Sequence, residues 1–171
     1  MASLATAALA CERTLRAIGA RHPDLRAAVV TLYRHPAGDR RGHYAPTRWT
    51  TNSRDLAPAS TTPTTLDEIH LDAILLAEGP ASILQTLLHE AAHSIARGRG
   101  LQDVSRDARY HNRTFARLAT EVGLAIATAP GVGCITPALL PGTALRYADQ
   151  INDLRDTLTL ANNAATAAAS A

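Results

Sequence analysis

The segment 80–97 constrains this chain most, because its apolar residues recur at the three- and four-residue spacing of a helix. The apolar positions are Ile83, Leu84, Leu87, Leu88, Ala91, Ala92 and Ile95. Pro80 suits the first turn of a helix and Gly98 suits its end, and no Pro or Gly interrupts the interior. The sequence therefore predicts a helix with one face packed inward, on which the rest of the fold is assembled.

This helix carries His89, Glu90 and His93 in the pattern HExxH. Side chains four residues apart lie on the same helix face, so both imidazoles can reach one metal ion at roughly 2.0–2.1 Å. Glu90 lies about 100° around the helix from His89, where it can border the metal and deprotonate a water without being a ligand. The pattern is a metalloprotease signature and predicts a zinc hydrolase, although manganese or iron can occupy such sites.

A catalytic zinc needs three protein ligands and one open position, so the chain must supply a third donor. The metzincin pattern would need Gly at 96 and His at 99, and it is excluded because the chain has Ala96 and Arg99. The candidates that lie downstream are His111, Asp103, Asp107 and Glu121.

His111 is the favoured third ligand because it stands just before a second helical pattern. Asn112 is a good N-cap for that helix and Gly123 a good C-cap, so His111 would be held at a loop-to-helix junction. Glu121 stays open as the alternative, since one class of zincins uses a helical Glu as its third ligand.

Four pieces of the chain, in order, resemble the SprT-like (Spartan-type) zinc metalloprotease domain. They are the short strand 68–71, the HExxH helix, His111 with Phe115 one turn later, and Gly123 with Leu124. The similarity covers roughly residues 25–125. It implies zinc held by His89, His93 and His111, Glu90 as the general base, and proteolysis, which the best-known members direct at proteins crosslinked to DNA.

Two features depart from that family. Many members have Gly after the third histidine, where this chain has Asn112. Many also carry a cysteine zinc ribbon after the protease core, whereas this chain has only Cys11 and Cys134 and no CxxC pair. By these spacings, no second, structural zinc site is expected.

The length of 171 residues allows one domain with a sizeable core. We expect a single SprT-like domain over 1–163, with helices at 3–20 and 143–163, and an Ala-rich disordered tail at 164–171. Hydrophobic residues make up 46% of the chain but aromatic residues only 4%, so the core must be mainly aliphatic.

Strand patterns at 28–33, 43–50 and 68–71 predict a small three-stranded antiparallel sheet packed against the HExxH helix. The order of helix, strands and helices indicates an α+β fold. We expect the strand 68–71 to lie at the sheet edge, where an extended peptide could add as a further strand. The Pro- and Gly-rich segment 127–142 predicts an irregular loop, and the single tryptophan, Trp49, is expected in the core.

The arginines around the proposed site predict non-specific contact with DNA phosphates, although the formal net charge of the chain is only +2. They are Arg97, Arg99, Arg106, Arg109 and Arg113. A solvated face with Arg–Asp pairs is the alternative. Neither interpretation involves a motif that reads DNA sequence.

The two cysteines make no disulfide scaffold, which fits a reducing cytoplasm. The apolar stretch 4–11 ends like a lipoprotein signal, but it is short and no basic residue precedes it. It therefore predicts an amphipathic helix and a cytoplasmic protein, and no stretch is long enough to span a membrane.

The sequence thus favours a zinc endopeptidase in which water is activated by the metal and attacks a peptide bond, with DNA-associated proteins as one substrate class. The alternative is a catalytically restricted zincin-fold protein, regulatory or from a mobile element, that acts as a binding module. The complete set of His89, Glu90, His93 and His111 favours the enzyme.

Overall fold

The computed structural model of the protein describes residues 4–34, 40–51, 64–105 and 110–169. Most of the segments 36–42 and 51–65 lies outside these ranges. The same holds for Arg106 and Arg109, predicted to contact DNA, and for the candidate ligand Asp107.

The described residues form six helices, and α3, which carries the HExxH pattern, contacts most of the others. The helices are α1 (Leu4–Arg21), α2 (Leu75–Glu78), α3 (Pro80–Gly98), α4 (Arg113–Val122), α5 (Thr143–Arg146) and α6 (Ala148–Ala169). The segment predicted as one helix over 143–163 is divided at Tyr147, and α6 extends to Ala169. The domain limits proposed from the sequence stay a prediction.

In the part of the chain described here, no helix has both the length and the apolar character needed to cross a bilayer.

Seven strands form two sheets in the described residues. The first sheet has the order β1-β3-β2 and the second β4-β5-β7-β6. The strands are β1 (Ala28–Tyr33), β2 (Gly42–Thr51), β3 (Thr64–Asp72), β4 (Val104–Ser105), β5 (Tyr110–His111), β6 (Ala127–Ala129) and β7 (Gly133–Ile135).

The fold is α+β, but the prediction of a purely antiparallel three-stranded sheet is wrong. β3 lies in the middle of the first sheet, parallel to β1 and antiparallel to β2. A meander would have placed the sequence neighbours β1 and β2 side by side, whereas here both pair with β3. Because both edges of β3 are occupied, the predicted peptide-binding edge at 68–71 is also wrong.

β3 lies in the middle of the sheet although it carries acidic residues. The structure provides hydrogen-bond donors for the buried carboxylate of Asp67. Asp67 is fully buried, yet it accepts hydrogen bonds from Arg26 Nε at 2.7 Å, Tyr44 Oη at 2.5 Å and the Thr47 backbone N–H at 2.8 Å. Burial alone would raise the pKa of Asp67, but these donors outweigh it and lower the pKa. A strand with this composition can therefore occupy the middle of a sheet, because its charges have partners.

Trp49 also differs from expectation. Its side chain is 43% exposed, and its indole N–H donates to Glu68 Oε2 at 2.9 Å. It follows a register shift between Ala45 and Trp49, where Thr47 has a positive φ of 52°. Trp49 thus satisfies a buried acid of β3 and does not fill the core.

The core lies around α3, whose apolar face is completely buried as the periodicity predicts. It packs against β2 and β3 of the first sheet and against α1, α4 and α6. Burying each large aliphatic side chain contributes roughly 1.5–3 kcal/mol, so this face fixes the position of the helix.

The second sheet occupies part of the segment that was predicted to be an irregular loop. β6 and β7 form an antiparallel pair within 127–142, and β7 also pairs in parallel with β5 through His111 and Gly133. The prediction was wrong here because strands of three residues are too short to show a period against a Pro- and Gly-rich background. The small sheet brings β5 and β7 to the HExxH face of α3.

Candidate metal centre

Three imidazoles converge at the junction of α3 and the second sheet. His89 and His93 lie one turn apart on α3, and His111 is the last residue of β5. Their ring centroids form a nearly equilateral triangle, with separations of 5.1, 5.0 and 5.1 Å. One nitrogen of each ring lies within 4.8 Å of the others, so the three residues are close enough to hold a metal ion.

Two of the three imidazoles are held in orientation by a second side chain. Nδ1 of His93 is hydrogen-bonded to Asp103 Oδ2 at 2.5 Å, and Nδ1 of His89 to Thr136 Oγ1 at 2.8 Å. When Nδ1–H donates in this way, the lone pair of the ring is on Nε2 and is available to a cation. Nδ1 of His111 is buried and has no such partner within the described ranges.

Phe115 forms the floor of the site. Its ring is fully buried on the first turns of α4, with centroids 4.8, 4.7 and 4.2 Å from those of His89, His93 and His111. The helix that positions Phe115 begins at Asn112, whose side chain accepts from the backbone N–H groups of Thr114 and Phe115. The Asn112 cap therefore fixes both the end of β5 and the aromatic floor.

The surroundings keep His89 and His111 neutral at neutral pH. Burial, followed by the proximity of the other imidazoles, lowers the pKa of His89 well below its usual 6.5. Burial and then His93 lower the pKa of His111 to about 4. A neutral imidazole is the form that binds a metal, so the site has little proton competition to overcome at pH 7.

Glu90 lies beside the triad at the contact between α3 and β2. Its side chain is almost completely buried, and burial raises the pKa of Glu90 to about 7. β2 comes this close because residue 42 is glycine. A Cβ there would lie 3.0 Å from Glu90 Oε1 and 2.8 Å from the His70 carbonyl oxygen. Gly42 thus makes the room that the carboxyl group occupies.

Gly133 has a similar role in the second sheet. It pairs with His111 across the β5–β7 ladder and has a φ of 82°, in the left-handed region. A Cβ at this position would lie 2.3 Å from the carbonyl oxygen of His111. The glycine therefore permits the close approach that brings His111 to α3.

Of the candidate ligands that the structure describes, three lie together and two have other partners. His89, His93 and His111 come together, whereas Asp103 supports His93 through the hydrogen bond described above. Glu121, the alternative third ligand, lies apart and forms a bidentate ion pair with Arg99 at 2.7–2.8 Å. Sequence reasoning did not find Thr136, which is 47 residues from His89 and carries no local signal.

A groove passes over the triad and consists of three adjoining pockets. The central pocket, of about 390 Å³, is lined by His89, Glu90, His93, His111, Arg40 and Tyr44. On one side it continues into the Thr136 pocket, of about 290 Å³, whose lining includes Gln85, Ile135 and Thr136. On the other side lies the Arg97 pocket, of about 460 Å³, whose lining includes His93, Arg97, Leu101, Asp103 and Val104. The metal centre therefore lies in the middle of a groove that extends in both directions.

The described arginines among those predicted to contact DNA have different surroundings. Arg99 is bound to Asp24 and Glu121, Arg97 lines the groove, and Arg113 is exposed on α4. Arg106 and Arg109 lie outside the described residues. Contact with DNA stays a prediction.

Comparison with known proteins adds no relative to this picture. The chain matches no family model, no curated protein and no solved structure. The resemblance to the SprT-like family therefore rests on the four ordered pieces of sequence described above.

Proposed function

We propose that the protein is a zinc-dependent endopeptidase of the SprT-like type, with His89, His93 and His111 as the metal ligands and Glu90 as the general base. The observation that carries this proposal is the convergence of three imidazoles beside one buried carboxyl group, in the middle of an open groove. A binding module would have no need of that carboxyl group, so we favour the enzyme.

The donor set fits zinc. Three neutral nitrogen donors and one open position are the arrangement of a catalytic zinc site, and hydrogen bonds to Asp103 and Thr136 already orient two of the rings. Structural zinc sites are instead closed by four protein ligands, and within the described residues only these three histidines cluster. Zinc, when bound, supplies a Lewis acid that lowers the pKa of water and polarises a carbonyl oxygen.

Glu90 provides the proton transfer. Its carboxylate, buried beside the three histidines, can accept a proton from the attacking water and return it to the leaving amine. Gly42 keeps the wall of β2 close to this carboxyl group and thereby keeps it out of bulk solvent. Glu90 lines the groove, so water and substrate would reach it from there.

β2 provides a surface on which a polypeptide can lie. It is an edge strand of the first sheet among the described residues, and its residues 42–44 line the central pocket. We propose that an extended substrate adds to this edge through main-chain hydrogen bonds, which would position the scissile carbonyl without demanding a particular sequence.

The test is the substitution Glu90→Gln in purified, zinc-loaded protein. We expect unchanged zinc content and loss of cleavage of an unfolded protein such as casein, because only the base is removed. Glu121→Gln is the matched control, since Glu121 pairs with Arg99 outside the site, and it should cleave normally. Full proteolysis by the Glu90→Gln variant would refute the proposed role.

DNA-associated proteins are the substrate class that the family resemblance suggests, and self-cleavage with and without DNA tests it. A chelator-sensitive product that appears faster with DNA would support this substrate class. Cleavage that is indifferent to DNA would indicate a general peptidase.

A further inference from the structure

Arg97 stands at a defined distance from the reaction site. His89, His93 and Arg97 are spaced by four residues on α3, so they project from the same helix face on successive turns. Four residues of helix rise about 6 Å, which an extended chain covers in about two residues. A substrate chain that lies along the groove would therefore pass Arg97 within about two residues of the cleaved bond.

Arg97 differs from Arg99 in its partners. Its guanidinium has no ion pair among the described residues, whereas Arg99, two positions later, is bound by both Asp24 and Glu121. Asp103, the acid that shares the pocket, is hydrogen-bonded to Nδ1 of His93. Within the described residues, the Arg97 pocket thus presents a guanidinium that is not held in an ion pair.

The other walls of the pocket include Pro46, Leu101 and Val104. Arg97, Pro46 and Leu101 are exposed, so an anion in contact with Arg97 would form a surface ion pair, which contributes about 1 kcal/mol or less.

We infer that the Arg97 pocket is the subsite for an acidic side chain of the substrate polypeptide, within about two residues of the cleaved bond. This inference rests on the proposed endopeptidase function and assigns it a substrate class. We favour a polypeptide over DNA because the Arg97 pocket adjoins the proposed peptidase centre, and binding of DNA is one outcome of the test below. Among the described residues that line this pocket, Arg97 is the only arginine.

The experiment uses the zinc-loaded full chain and peptides built on a cleavage site mapped in casein. Three peptides carry Glu, Gln or Lys at one position, and the position is moved over the two residues on either side of the cleaved bond. We expect kcat/KM to fall from Glu to Gln to Lys at one position, by roughly fivefold at each step. Arg97→Gln should remove this order, and Arg97→Glu should reverse it.

The matched control is Arg155→Gln, an exposed arginine on α6 outside the three pockets of the groove. It should keep the preference of the wild type. Binding of the same peptides to the Glu90→Gln variant gives a second measurement that needs no turnover, and the Glu peptide should bind most tightly.

The outcomes separate this inference from the function on which it rests. Cleavage of all three peptides at equal rates at every position would overturn the subsite and leave the peptidase intact. If casein is not cleaved, peptides of one fixed sequence that carry Glu, Gln or Lys are used for binding alone. Tighter binding of the Glu peptide that Arg97→Gln abolishes would then overturn the peptidase and support a site for an acidic side chain at Arg97. If Arg97→Gln weakens binding of a single-stranded oligonucleotide and leaves the peptide preference unchanged, Arg97 serves DNA and the inference is wrong.

Discussion

Replacing Gly133 with alanine should weaken metal binding, and Gly131→Ala provides the matched comparison. Both glycines have left-handed backbones, with φ of 82° and 77°. Alanine at either position therefore costs about 1–2 kcal/mol of folding stability through backbone strain. Only at Gly133 would the new methyl group meet another part of the chain, since nothing lies within 4 Å at Gly131.

The size of the additional effect follows from the contact with His111. The methyl group would lie 2.3 Å from the His111 carbonyl oxygen, so β5 and β7 must separate by about 1 Å to reach ordinary contact at 3.4 Å. Metal–ligand distances tolerate only about 0.2 Å. A displaced His111 should therefore weaken zinc binding at least about tenfold, which corresponds to roughly 1.4 kcal/mol.

Two measurements distinguish backbone strain at the two glycines from displacement of His111. Urea unfolding of the metal-free proteins reports the shared strain, and competition with a fluorescent chelator reports zinc affinity. We expect Gly131→Ala to lose stability but to bind zinc as the wild type does. Equal zinc affinity of Gly133→Ala and Gly131→Ala would show that the β5–β7 contact does not position His111.

Three further predictions concern the side chains around the centre and in the first sheet. Thr136→Val removes the hydrogen bond to His89 but keeps the shape of the side chain, so it should weaken zinc binding about tenfold in the chelator assay. Thr136→Ser should restore the affinity. Unchanged zinc affinity of Thr136→Val would exclude a positioning role. His111→Ala should lose most of its zinc in metal analysis while Glu121→Ala keeps it, and the opposite result would transfer the third ligand to Glu121. The folded-state pKa of Asp67 lies below its usual 3.8, so this group stabilises the fold above that pH and its contribution is lost as the pH falls through the lowered value. In urea unfolding at pH 6, Asp67→Asn should therefore be less stable than the wild type by about 2 kcal/mol or more. Between pH 5 and 2 it should lose less stability than the wild type does. Parallel curves of unfolding free energy against pH would contradict this linkage.

The helices were predictable because their signals are local. The apolar spacing of α3 and the caps Asn112 and Gly123 of α4 each act within a few residues, and the structure places these elements within a residue of the predicted bounds. The convergence of His89 and His93 followed from the same geometry. His111 could be proposed as the third ligand because the predicted cap at Asn112 places it directly before α4.

The sheets were not predictable to the same degree because strand order depends on partners far away in sequence. The strand 68–71 was expected at the sheet edge, whereas β3 lies in the middle. Asp67 can be buried there only because Arg26, Tyr44 and Thr47 donate hydrogen bonds to it. Thr136 lies in a Pro- and Gly-rich segment, and its role depends on a hydrogen bond to a residue 47 positions earlier. Interactions of this kind leave no periodic trace in the chain.

The aromatic ring of Phe115 lies against all three imidazoles and covers one side of them. Among the described residues, an ion would therefore reach the histidines from the groove, the side from which the proposed substrate would also enter. A bulky molecule bound in the groove would therefore exclude chelators and the proposed substrates at the same time. Occupancy of the groove should thus protect the bound ion from extraction.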